Sequence, residues 1–189
     1  MKLSILLGSV REGRQTHKIA QYLLHQFEAQ AGIEPTLIDL KAAPVPIFES
    51  RWQQQETPNA ALVALGAHLS EADAMIFVSP EYHGSYSGVL KNAVDHYWKE
   101  FSRKPIGVVA TGAGQFGGLN GSTEMQQLVL SLGAFPMPFK LLVPRIKDAF
   151  DAEEQLIHSQ TAELTSKFVQ EFLWFARAIV AAKAQQPTS

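Results

Sequence analysis

The sequence predicts a three-layer α/β fold: a five-stranded parallel sheet in the order 2-1-3-4-5, with helices packed on both faces. Three observations predict it. Strand-like and helix-like segments alternate from residue 2 to residue 184, the pattern of βα units that build parallel sheets. The second strand carries Pro35, which has no N–H for a ladder and so belongs at a sheet edge. That is the place this order gives strand two. Glycine-bearing loops follow strands one, three and four, at the carboxyl edge where open parallel sheets bind ligands.

The elements follow in order. Lys2 to Leu7 reads as a buried strand. Ile19, Tyr22, Leu23 and Phe27 mark one face of the first helix, which Gly32 ends. Ile33 to Leu40 is strand two, and Lys41 to Thr57 a long, proline-bearing connection of the kind that often serves function or a partner. A helix over 58–72 leads to strand three at Asp73 to Ser79. The helix over 88–99 carries two apolar stripes: Val89, Ala93, Tyr97 and Leu90, Val94, Trp98. Pro105 to Thr111 is strand four, about 121–133 a helix, Phe139 to Val143 strand five, and about 152–184 the last helix. Its wide apolar face (Leu164, Phe168, Phe172, Val169, Leu173) packs on the sheet, with a dimer interface as the second use of that face. Residues 1–184 form one domain and 185–189 a polar tail.

Composition narrows the function. With 46% hydrophobic and 18% charged residues the 189-residue chain is globular, and a net charge of -2 gives no footprint for nucleic acid or an anionic membrane. No cysteine is present, which removes disulfides, thiolate metal sites and cysteine nucleophiles. No metal site is expected. The apolar run after Lys2 stops at Gly8, short of a signal peptide's core, and no run approaches the ~18 apolar residues of a membrane span. A cytoplasmic protein is the expectation.

Three loops carry the chemistry. In the first, Gly8 and Gly13 stand at the spacing of a P-loop, but Arg14-Gln15 replace its Lys-Ser/Thr, so nucleotide cleavage is not expected. Helix-start N–H groups, the Ser9 and Thr16 hydroxyls, the Gln15 amide and Arg11 still suit an anion. The alternative is a glycine turn with a solvated basic face. The second loop, Ser79 to Gly88, offers the flat faces of Tyr82 and Tyr86 to a heterocycle. Ser79 at the end of strand three excludes a receiver domain, which needs aspartate there. The third, Thr111 to Gly118, contains G-x-G-x-x-G. Neither its place after strand four nor the acid-free Lys140 to Val143 suits a dinucleotide fingerprint, so its glycines are read as allowing close approach to a flat ligand.

Taken together, Gly8-Ser9-Val10-Arg11 with Gly13, Pro80-Glu81-Tyr82-His83-Gly84 with Leu90-Lys91-Asn92-Ala93-Val94-Asp95, and Gly114 with Gly117-Gly118 resemble the NADPH-dependent FMN reductase family of flavodoxin-like proteins over residues 2–145. The resemblance implies an FMN phosphate on Ser9, Arg11, Gln15 and Thr16. It implies the isoalloxazine ring against Pro80, Glu81, Tyr82, His83 and Gly84, with Thr111, Gly114 and Gly117 at the ring's other edge. Arg14, where the family often has serine, either joins the phosphate site, meets a nicotinamide nucleotide or points to solvent. His83 stands where the family commonly has asparagine. The implied activity is transfer of a hydride from NADPH or NADH to FMN and on to a quinone-like, azo or other small acceptor. Flavin N5 carries that chemistry and no side chain is catalytic. A homodimer or homotetramer is implied as well. The alternative is a flavodoxin-type electron carrier, against which the weak net charge and the two arginines of the first loop argue.

Overall fold

A computed structural model describes residues 1–185. The polar tail expected over 185–189 therefore falls, but for its first residue, outside the described residues. The element order is β1 (Lys2–Leu7), α1 (Thr16–Glu28), β2 (Glu34–Asp39), a 3₁₀ turn (Trp52–Gln54), α2 (Ala60–Glu71), β3 (Ala74–Pro80), α3 (Gly88–Asp95), β4 (Pro105–Thr111), α4 (Leu119–Ser131), β5 (Phe135–Pro136), β6 (Leu141–Val143) and α5 (Ser159–Ala184). The strands lie in the order β2-β1-β3-β4-β5, with β6 also on β4, and every pairing is parallel. Pro35 sits in the edge strand, opposite Leu3.

Side-chain alternation along the strands divides the core into two layers. Leu3, Ile5 and Leu7 of β1, with Ile76 and Val78 of β3, face α1 and α5, where Ile19, Leu23, Phe27, Phe168 and Phe172 meet them. Leu6, Phe77, Ile106 and Val108 face the other way, onto Leu62 and Leu65 of α2, Leu90 and Val94 of α3, and Met125 and Val129 of α4. Burial on both faces accounts for the unbroken apolar run of Ala74–Val78.

The boundaries depart from expectation where the backbone has a reason. The fifth strand is split. Phe135 and Met137 donate to Lys104 O and Ile106 O at 2.9 Å each, but Pro136 and Pro138 have no N–H, and pairing resumes only at Leu141. The last helix begins at Ser159, not near residue 152. Before it, Gln155 N–H donates to Asp151 Oδ1 (2.7 Å), Phe150 bridges Leu156, and Glu154 takes a positive φ of 60°. The α3 helix stops at Asp95, which leaves Trp98 half exposed beneath Arg51. The connection 41–57 is pinned to α3. Asn92 donates to Pro46 O (2.8 Å) and accepts from Phe48 N–H (2.8 Å), and Trp52 N–H reaches His96 O (3.3 Å).

At the carboxyl edge the first two loops are locked together at Gly8. Its N–H donates to Val78 O (2.8 Å), and its carbonyl accepts from Ser87 Oγ (2.5 Å), the N-cap of α3. A Cβ on Gly8 would lie 2.7 Å from Leu90 Cβ, so α3 starts this close to β1 only because residue 8 is glycine. Gly8→Ala is expected to cost about 1–3 kcal/mol, the range of overpacking in a closed core. Urea unfolding of the two proteins measures it.

Candidate functional site

The carboxyl edge of β1, β3 and β4 opens into a cleft of about 390 Å³, within the ~300–1,000 Å³ typical of small-molecule and cofactor sites. Of the residues expected from sequence, the cleft gathers Ser9, Arg11, Arg14, Gln15 and Thr16 from the first loop, Pro80, Glu81 and Tyr82 from the second, and Thr111 from the third. His83, Gly84, Gly114 and Gly117 are not on its lining. Gly13 of the first loop's glycine pair also lines it, as do Glu12, Gly112, Ala113, Ile146 and Lys147, which the sequence did not mark as binding residues. Glu12, Gly112 and Ala113 adjoin expected residues. Ile146 and Lys147 follow β6, a strand whose boundaries the prolines obscure.

The first loop has the donor set of an anion site. Gln15, the N-cap of α1, caps no helical N–H with its side chain, which donates to Gly13 O (3.0 Å), and no acidic residue stands in the helix's first turn. Lys18 N–H is taken by Gln15 O (3.0 Å), which leaves the Thr16 and His17 N–H groups of that turn without an intrahelical acceptor, at the positive end of the helix dipole. Ser9 is buried at 1% exposure on the cleft wall. Thr16 and Thr111 share a buried hydroxyl–hydroxyl bond of 2.8 Å, joining the first loop to the third. Either oxygen is the donor, and the acceptor's own proton remains for a ligand.

Arg14 does not point to solvent. Its guanidinium clasps Asp39 at the end of β2, with Nη1 at 2.6 Å from Oδ1 and Nη2 at 2.5 Å from Oδ2, and also donates to Ser9 O. It is a brace between the first loop and the edge strand, and its charge is already matched. Burial pushes the Asp39 carboxyl upward, but the Arg14 hydrogen bonds, the Lys41 N–H (2.9 Å) and the guanidinium charge outweigh that and hold it below the ordinary carboxylate range. The same hydrogen bonding to Asp39 raises Arg14.

The second loop is a two-residue hairpin. Tyr82 and Ser85 exchange both backbone hydrogen bonds (2.8 and 3.1 Å), and His83 and Gly84 take φ of 52° and 79°. Two positive φ values make a type I′ turn, whose first position favours asparagine. His83 is thus exposed at a hairpin tip, held there by backbone demands, and Gly84 supplies the second left-handed residue. Tyr82 faces the cleft, with the Arg11 guanidinium 5.5 Å from its ring centroid. Tyr86 does not face the cleft but packs against the α2/α3/α4 layer, where burial, then the charges of Asp95 and Glu124, push its hydroxyl pKa up. Glu81 lines the cleft while its carboxylate accepts from Gly121 N–H (2.8 Å) in the first turn of α4. It orients the second loop against that helix.

The third loop is stitched to the segment after β6. Arg145 N–H and Ile146 N–H donate to Gly114 O and Gly112 O, each at 3.1 Å. Gly117, at φ 61°, is buried with Pro144 N 2.8 Å from where its Cβ would stand, so it holds the loop closed. Gly114 has open space on that side.

The family model for NADPH-dependent FMN reductases matches residues 1–148. An NADPH azoreductase of a Bacillus species is 29% identical over 169 residues, covering 87% of this chain and 90% of its own. An NAD(P)H-dependent FMN reductase of Pseudomonas aeruginosa is 33% identical over 185 residues, covering 94% and 96%. Among solved structures, the flavoenzyme NAD(P)H:(acceptor) oxidoreductase FerB of Paracoccus denitrificans superposes with a TM-score of 0.78 at 22% identity, covering 94% of this chain and 97% of its own, a likeness of fold.

Two outcomes follow for the brace and the hairpin. A half-buried bidentate pair falls between exposed pairs, worth ~0.2–1 kcal/mol, and buried pairs broken on one side, ~3–5 kcal/mol. Asp39→Asn is therefore expected to cost about 1–3 kcal/mol at pH 7. Because the folded carboxyl titrates below the unfolded one, this stabilisation is complete above the unfolded pKa and is lost as pH falls through the folded value. The gap between wild type and variant narrows below about pH 4, read by urea unfolding at several pH values. His83→Asn is expected to raise stability by a few tenths of a kcal/mol, and His83→Val to lower it by about 1 kcal/mol or more, since a β-branched residue resists positive φ. Thermal unfolding distinguishes the two.

Proposed function

The chain belongs to the NADPH-dependent FMN reductase family and is an FMN-dependent NAD(P)H oxidoreductase, and from that premise we propose that the cleft between its three loops is the flavin site and that its terminal acceptor is a quinone-like or azo compound. The observation that carries the assignment is the meeting, in one cleft, of an uncapped helix start, the Thr16–Thr111 hydroxyl pair and the Tyr82 ring. This donor set fits FMN, with anion donors at one end and flat apolar and backbone surface at the other. When bound, FMN supplies the hydride-accepting and electron-donating centre that no side chain of the cleft offers.

The residues then divide the work. The Thr16 and His17 N–H groups at the start of α1, with Ser9, Gln15 and Arg11, would bind the phosphate. The Thr16–Thr111 pair would offer its free proton to a polar group of the cofactor. Pro80, Tyr82 and the Gly112–Ala113 backbone, which line the same cleft, would hold the ring. Glu81 keeps the second loop in place through Gly121 N–H. The azoreductase name of the Bacillus relative supports the azo acceptor. Exposed Ile47 (84%) and Phe48 (37%), on the connection pinned to α3, support a homodimer or homotetramer. No helix among the described residues is long and apolar enough to cross a membrane. With no cysteine in the chain, we place the protein in the cytoplasm.

The test loads purified protein with FMN and follows NADPH and NADH oxidation with a quinone and with an azo dye. FMN retention and acceptor-dependent oxidation are expected. Protein that retains no flavin overturns the site, and loaded protein that oxidises neither nucleotide returns the reading to an electron carrier. Arg11→Ala is expected to weaken FMN retention by about tenfold or more, a charged hydrogen bond being worth ~1.5–3 kcal/mol. Tyr82→Ala is expected to weaken it less, an aromatic contact adding ~0.5–1.5 kcal/mol beyond burial. Fluorescence titration ranks the two.

A further inference from the structure

We infer that Lys147 is a phosphate-binding residue of the cofactor site, supplying from the segment after β6 the cation that the first loop has no lysine to provide. The inference rests on the flavin-site reading above and names a residue that reading leaves out.

The charges around the cleft lead to it. Arg11, Arg14 and Lys147 are its cations, and Glu12 and Glu81 its carboxylates. Arg14 is clasped by Asp39 and so contributes little field outside that pair. Counting Asp39, three cations face three carboxylates. A site left to Arg11 alone would be net negative, and the ligand's phosphate carries up to two negative charges. Lys147 brings the site to balance. It forms no ion pair or hydrogen bond with any described residue, so its ammonium is uncommitted while Arg14 is spent.

Its backbone is also fixed against the site. Ile146 N–H is held by Gly112 O and Arg145 N–H by Gly114 O, both in the third loop, and Asp148 N–H turns back to Arg145 O at 2.7 Å. Farther along the same segment, Glu154 Oε1 meets His17 Nε2 (3.2 Å) in the first turn of α1. The segment is therefore tied on one side of Lys147 to the third loop and on the other to the helix start that would hold the phosphate. A flexible stem on a fixed backbone suits a charge that closes over a ligand after it enters.

The experiment compares FMN with riboflavin, which has the same ring and no phosphate, by quenching of flavin fluorescence at low ionic strength. Lys147→Gln is expected to weaken FMN about tenfold, as for one charge-assisted hydrogen bond at a solvated site, and to leave riboflavin unchanged. Lys147→Arg is expected to retain FMN. Added salt should weaken FMN binding more steeply in wild type than in Lys147→Gln. Lys2→Gln, which removes the same charge at the opposite edge of the sheet, serves as control and should change neither ligand. Unchanged FMN affinity in Lys147→Gln, or equal loss for both flavins, overturns the assignment. Wild-type protein that binds neither flavin overturns the cofactor site beneath it, a distinguishable result.

Discussion

The close approach at Gly8 is the constraint on which the site depends. One residue ends β1, receives the Ser87 hydroxyl on its carbonyl and lies under Leu90 with no room for a Cβ. The start of α3 is therefore positioned by the end of β1 rather than by the loop that precedes it. That loop, from Glu81 to Tyr86, is free to form a tight hairpin and present Tyr82. The Thr16–Thr111 bond makes a second tie of the same kind, from the first loop to the third. Three loops from distant parts of the chain thus behave as one surface. An error of an ångström at Gly8 would be carried into all of them, because the packed layers beneath transmit displacement and do not absorb it.

Electrostatics divides the cations of the cleft by task. Arg14 and Arg11 are three residues apart, yet Arg14 is half-buried and matched by Asp39 while Arg11 is exposed over an aromatic ring. The first fixes the shape of the anion loop, and the second is available to whatever enters. A single cation asked to do both would lose on each count, since ordering a loop requires a permanent partner and binding requires a vacant one. The bidentate geometry with Asp39 also explains the choice of arginine, for lysine is a point charge and cannot hold two carboxylate oxygens and Ser9 O from one planar fork.

Much of this was legible in the sequence, for reasons that can be named. Pro35 announced an edge strand because its missing N–H is a property of the residue alone. The three glycine-bearing loops were recognisable because strands with both faces buried are continuous apolar runs that end abruptly. The split fifth strand was not, although Pro136 and Pro138 stood in the sequence, because the pairing of β4 with two short segments is decided by tertiary contact. Arg14 was illegible for the same reason: its partner lies 25 residues away, on another strand. Glycines 84 and 117 were read as ligand-facing. The fold gives each a structural reason as well, positive φ in a hairpin and close packing against Pro144, and sequence does not separate these uses of glycine from ligand contact. Nothing in the sequence marks Lys147: the strand before it ends at Val143 as expected, and no motif signals a cation that reaches a loop more than a hundred positions away.

The absent P-loop lysine has a physical reading in this light. A P-loop lysine sits at the head of the helix because it must follow charge that moves between the β- and γ-phosphates during cleavage. A phosphate that is only held has no such moving charge. It needs hydrogen-bond donors with fixed geometry and enough positive charge nearby, and neither demand says which element of the chain must supply the cation. The first loop can then give its residue 14 to an internal brace and take its counter-charge from Arg11 and from the far side of the cleft. What looks in the sequence like a nucleotidase motif with its key residue replaced reads, under the proposed flavin site, as an anion site in which shape and charge are assigned to different residues.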